Sequence, residues 1–148
     1  MKRLSSVLLL AALPALGLVQ PAHACRCSGP GPGAAALRRA DVAVVGEVVE
    51  VLGEPPSGPT GFILRVARRF RGDAGATLRV AMPATSCGIR WIAVGERWLV
   101  FARRGDGVLT TRQCTGSVRL AAADGTSHPR AARWLRSVAR AADADDER

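Results

Sequence analysis

Cys25 and Cys27 stand one residue apart, immediately after an apolar leader that ends Ala22-His23-Ala24. Small residues at Ala22 and Ala24 occupy the two positions that signal peptidase reads. Cleavage after Ala24 makes Cys25 the first residue of the mature chain. That one residue then carries a free α-amino group, its own carbonyl and a disulfide-capable thiol. An amine and a carbonyl on the same residue close a five-membered ring on a metal ion, so the chain start is itself a bidentate chelator. An α-amino group titrates near pH ~8, so shedding its proton at neutral pH costs little.

The elements that must present this group begin with the leader. Lys2 and Arg3 give it a positive start, and Val7 to Leu18 is mostly Leu, Ala and Val, broken by Pro14. The apolar run is shorter than the roughly 20 residues that cross a bilayer, and no later stretch is apolar enough to do so. A lipoprotein signal also precedes a cysteine, but it usually carries Leu three residues before it, where Ala22 stands here. The expectation is therefore a signal peptide over 1–24 and a soluble, secreted or periplasmic protein, with lipid anchoring at Cys25 as the alternative. Residues 25–142 are expected to form one domain, and 143–148 a charged, mobile tail.

Without 24 of its 148 residues the chain keeps 124, the size of one domain. Its formal charge falls from +9 to +7 when Lys2 and Arg3 leave, and every remaining basic residue is Arg. The arginines are spread along the chain rather than clustered, which favours a solvated surface over a nucleic-acid site. A single-strand binder would also need aromatic platforms on exposed strands. The aromatic residues Trp91, Trp98, Trp134, Phe62, Phe70 and Phe101 mostly suit a core. No nucleic-acid partner is expected.

The four cysteines, Cys25, Cys27, Cys87 and Cys114, belong to an exported chain, so disulfides are expected rather than a thiolate metal site. Four cysteines allow three pairings. A ring from Cys25 to Cys27 is too tight. Both remaining pairings tie the chain start to Cys87 and Cys114. The chain-entropy account assigns roughly 4–5 kcal/mol to each such long loop.

The hydropathy pattern reads as short strands. Ala34 to Ala40 suits a short helix with Leu37 inward, and Val42 to Leu52 is a β-branched run with Gly46 marking a bulge or bend. Alternation predicts strands from Phe62 towards Phe70, over Leu78 to Met82, and over Glu96 to Ala102. In the last of these, Trp98, Val100 and Ala102 face one way and Leu99 and Phe101 the other. Gly105-Asp106-Gly107 is a hairpin turn into a strand over Val108 to Thr111. Pro129 is expected to open a C-terminal helix, capped by Ser127 or His128, with Ala131, Trp134, Leu135, Val138 and Ala142 on its packing face. Five short strands, a bent first strand and two flanking helices predict an all-β, OB-like five-stranded barrel with two disulfides.

Other chemistry is sparse. His128 is the sole histidine beyond the leader, and its place before Pro129 suits a cap better than a base. Asp41, Glu47, Glu50, Glu54 and Glu96 have no visible catalytic partner and read as solvated or salt-paired. The chain is therefore not read as an enzyme, and no resident cofactor or metal is expected. Trp91, in the region after Cys87, either caps the barrel end or joins a contact surface.

Several segments together resemble one family. They are Cys25-Arg26-Cys27 and the Gly/Pro loop after it, then Ala40-Asp41-Val42 running into Val45-Gly46-Glu47-Val48. Next come Ser86-Cys87-Gly88, Gly95-Glu96-Arg97-Trp98-Leu99-Val100-Phe101-Ala102 and Cys114-Thr115. The set resembles the tissue inhibitors of metalloproteinases, and more closely their bacterial single-domain relatives with a netrin-like barrel. The resemblance implies pairings Cys25–Cys87 and Cys27–Cys114, and a wedge that enters the cleft of a zinc metalloprotease. In it the Cys25 amine and carbonyl chelate the catalytic zinc and displace its water, the nucleophile. Arg26 points into the pocket beyond the scissile-bond position, with Cys27, Ser86, Cys87, Gly88 and Trp91 as further contacts. Family members carry a small or modest side chain at the Arg26 position. A buried guanidinium needs a partner there, so the target pocket should hold a carboxylate. The alternative is a non-inhibitory, netrin-like binding module for another extracytoplasmic protein, in which the two N-terminal cysteines only staple the fold. In either case a monomer is expected.

Overall fold

The first strand carries the architecture because it is buried on both faces and paired on both edges. The computed structural model describes Cys25 and residues 27–29, 31–53, 58–83 and 87–147. The expected leader, Arg26, Glu54 and Ser86 lie outside these. Helix α1 spans Ala34–Arg39 and strand β1 Val42–Leu52. Strands β2 (Gly61–Arg71), β3 (Thr77–Ala81), β4 (Arg97–Gly105), β5 (Val108–Thr110) and β6 (Val118–Ala121) follow, then helix α2 (Ala131–Asp146). A short 3-10 turn over Gln113–Thr115 joins β5 to β6.

The strands run in the order β1-β2-β3-β5-β4, and β4 pairs back onto β1, closing a five-stranded barrel. All pairings are antiparallel except β3 with β5, so the barrel is mixed. Strand β6 adds to the start of β4 at Arg97 to Leu99, on the edge that β5 uses further along. The expected five strands are thus joined by a sixth. Its four residues run straight into Ala122 and Ala123, a composition that reads no more like a strand than a helix.

Alternation along β1 and β4 sorts side chains into two packed layers. Val42, Val44, Val48, Phe62, Leu64, Val80, Trp98, Val100 and Ala102 fill the barrel interior. Ala43, Val45, Leu99 and Phe101 point outward and are covered by α1 and α2 through Leu37, Ala131, Val138 and Trp134. A six-residue helix is too short to persist alone. Helix α1 holds because Ala36 and Leu37 are buried against that outer face. Each fully buried Leu, Val or Phe contributes about 1.5–3 kcal/mol relative to exposure.

Gly46 sits where β1 must serve two partners. Strand β1 faces β4 from Val42 to Glu47 and β2 over nearly its whole length, with a register shift beside Val45 and Gly46. A Cβ built on Gly46 would stand 2.7 Å from the Arg65 carbonyl oxygen and 3.1 Å from the Leu64 Cβ. The bend therefore leaves no room for a side chain.

The C-terminal helix departs from expectation at both ends. Ser127 bridges to Ala121, and the His128 amide donates to the Leu120 carbonyl at 2.7 Å. These bonds hold 127–128 extended beside β6, so the helix starts at Ala131 rather than at Pro129. His128 still serves the entry, since its Nδ1 accepts from the Arg130 amide at 3.1 Å. At the far end the helix runs on to Asp146, so 143–146, expected as part of a mobile tail, form its last turn. Acidic residues at a helix C-terminus oppose the helix dipole. Asp145 pairs with Arg71 of β2 at 3.4 Å, which offsets that cost. No helix among the described residues is long and apolar enough to cross a membrane.

Replacing Gly46 by Ala is expected to lower stability by about 1–3 kcal/mol through overpacking. Urea unfolding reads this as a lower midpoint with an unchanged slope.

Candidate functional site

Cys25 and Cys27 are held to the barrel by two bridges, Cys25–Cys87 and Cys27–Cys114. They span 62 and 87 residues of sequence. This is one of the two pairings the cysteine count left open, and the one the family resemblance implies. The two receiving segments are themselves joined, because the Gln113 amide donates to the Cys87 carbonyl at 2.9 Å. Both anchors therefore belong to one hydrogen-bonded platform. Cys25 is half-buried and Cys27 exposed.

Cys114 is positioned by hydroxyl groups that stand in for a missing strand. On the edge of β4, strand β5 ends near Arg103 and β6 begins at Leu99, leaving Phe101 between them without a strand partner there. Ser117 Oγ accepts from the Phe101 amide at 2.9 Å, and Thr111 Oγ1 donates to the Phe101 carbonyl at 2.9 Å. The two hydroxyls also bond each other at 2.8 Å, and Thr115 Oγ1 meets Thr111 Oγ1 at 2.8 Å. Buried peptide groups left unmatched are costly, so this cluster keeps the β4 gap closed. It also fixes the turn that bears Cys114. Gly116 ends that turn at φ 92°, where a Cβ would stand 2.8 Å from the Cβ of Ala36.

The segment after Cys87 divides by burial. Gly88 is buried, and Ile89 and Ile92 plug the barrel interior. Trp91 is 63% exposed and Val94 57% exposed. Trp91 therefore does not cap the barrel; the two isoleucines do that. It lines a shallow groove of about 250 Å³ with Val118, Arg119, His128 and Trp134, where the His128 ring stacks on Trp134 at 4.6 Å. Trp91 and Val94 are thus exposed apolar side chains on the segment that the Cys25–Cys87 bridge ties down.

Glu96 locks the base of this loop, a role its sequence context alone did not disclose. Its side chain is buried at the start of β4. Oε2 accepts from the Ala93 amide at 3.1 Å and the Trp98 indole at 2.9 Å, while Oε1 pairs with Arg119 of β6 at 2.7 Å. The i,i+2 spacing of Glu96 and Trp98 was the available signal, since it puts both on one strand face. Arg119 lies on the strand that the sequence did not reveal. Burial pushes the Glu96 carboxyl up, but the Arg119, Trp98 and Ala93 bonds outweigh it and hold the pKa below the ordinary 4.5.

Of the sequence-identified residues, the structure brings Cys25, Cys27, Cys87 and Gly88 together, with Trp91 on the same loop. Arg26 and Ser86 lie outside the described residues. Among the described residues no group of three or more His, Cys, Asp or Glu side chains could hold a metal ion. The candidate chelating atoms are main-chain ones. No protein-family model matches the chain, and no curated protein matches it either.

A carboxylate with a depressed folded pKa adds stability above its unfolded pKa and loses it as pH falls through the folded value. The Glu96 contribution is therefore complete at neutral pH and is lost below 4.5. In Glu96→Gln a single amide oxygen cannot serve both Arg119 and the two donors at Oε2, at a cost of about 1–3 kcal/mol. Urea unfolding should show the full difference from wild type at neutral pH, shrinking once pH falls well below 4.5.

Proposed function

We propose that this chain is a secreted inhibitor of zinc metalloproteases whose chelating group is its own first mature residue. The observation that supports this most is the double tether. Cys25 and Cys27 are both bonded to a platform formed by the Cys87 and Cys114 segments. Chain ends usually fray. A terminus held in this way meets a protease cleft without the entropy cost of ordering first. Strand order 1-2-3-5-4-1 with a bent, doubly paired first strand favours the OB-like, netrin-like reading of the barrel.

In this reading export removes residues 1–24 and leaves the Cys25 amine free. The neutral amine and the Cys25 carbonyl oxygen take two positions on the target's zinc and displace the water that hydrolysis needs. Arg26 enters the adjoining pocket and pairs with a carboxylate there. Trp91 and Val94, exposed on the loop after Cys87, extend the contact beside the wedge. The chain is not itself an enzyme and contributes no metal. Its partner supplies the zinc.

An added alanine before Cys25, or acetylation of its amine, removes one donor of the chelate and leaves the bridges intact. Both forms should unfold at the same temperature as the unmodified protein and lose inhibition of any zinc protease that the unmodified protein blocks. Trp91→Ala should weaken inhibition by roughly tenfold or more, as for an aromatic anchor. Full inhibition by the extended form refutes the chelation. A partner bound equally well by both forms identifies a binding module instead.

A further inference from the structure

A second concave surface lies behind the Cys27–Cys114 bridge and is lined by arginines from separate parts of the fold. Arg39 closes α1, Arg103 and Arg104 lie near the end of β4, and Arg112 precedes the 3-10 turn. They surround a cavity of about 400 Å³, with Phe101 and Thr115 also on its wall. Four other arginines pair with acids: Arg65 with Glu47, Arg69 with Asp73, Arg71 with Asp145 and Arg119 with Glu96. Among the described residues the four cavity guanidiniums have no ion pair or hydrogen bond. Asp41 Oδ2 accepts from the Arg104 main-chain amide at 2.7 Å. Asp106 sits at the tip of the β4–β5 hairpin and does not line the cavity.

We propose that this cavity binds a small ligand carrying a phosphate or pyrophosphate group. Like charges gathered in one concavity repel, and a bound anion relieves that repulsion. A cleft of one charge sign with apolar walls also concentrates counter-ions. The guanidinium fork matches phosphate oxygens two at a time. The volume lies within the range of small-ligand sites. Four arginines lining one compact space favour a compact, multiply charged group over an extended polymer. None of these arginines belongs to the proposed zinc wedge, so the two readings stand or fall separately.

Inorganic pyrophosphate is the probe, titrated calorimetrically into the purified, disulfide-bonded protein at constant ionic strength. The expected result is saturation at one equivalent. Arg103→Gln and Arg112→Gln should each weaken binding about tenfold, the loss of one charge-assisted contact. Arg79→Gln, an exposed arginine on β3 away from the cavity, should leave it unchanged. Absence of saturation overturns the site. So does equal weakening by Arg79→Gln, which would mark diffuse charge attraction, and so does binding of a sulfated polymer without binding of pyrophosphate.

Discussion

Two covalent bridges, leaving the chain within three residues of each other, fix the Cys25–Cys27 segment relative to everything that follows. Each carries one N-terminal cysteine to a different segment, and the Gln113–Cys87 hydrogen bond joins those segments. A single bridge would leave this segment free to swivel about it. Two bridges together remove that freedom. The geometry of any chelate formed at Cys25 therefore depends on how rigidly the Cys87 and Cys114 segments are held, which is a property of the barrel.

The barrel supplies that rigidity by different means on the two sides. The Cys114 turn is held by the hydroxyls of Thr111, Thr115 and Ser117, which close the gap that β5 and β6 leave on β4. The Cys87 segment is held by Ile89 and Ile92 in the interior and by Glu96 at its base. Beneath both, β1 and β4 are packed on two faces, so neither strand can shift without disturbing the interior and the helices together. The bridged segments at the rim and the core at the centre are thereby linked through β4, which carries Trp98, the Phe101 peptide groups and the arginines near its end.

Much of this was legible from local pattern. Alternation from Trp98 to Ala102 identified both faces of β4, and the Val-rich run with Gly46 identified a bent first strand, because period-two burial is a local signal. Strand β6 was not legible. It is four residues long, and its pairing with β4 is a long-range event that leaves little trace in Val118 to Ala121. The start of α2 was misplaced for a related reason, since the bonds from 127–128 to β6 outweigh the local preference of Pro129 for a first helical turn. At the site, the cysteines announced themselves. Glu96, Arg119 and the three hydroxyls did not, because their roles come from which strands end beside them. The arginine-lined cavity was hidden in the same way: residues 39, 103, 104 and 112 look scattered in sequence and meet only after folding.

The account rests on an unmodified amine at Cys25. N-terminal sequencing combined with intact-mass analysis of the exported protein tests this most directly. The account predicts Cys25 as the first residue, a mass reduced by the hydrogens of two disulfides, and no added lipid or acyl group. A chain that begins upstream of Cys25, or whose first amine carries a modification, contradicts it.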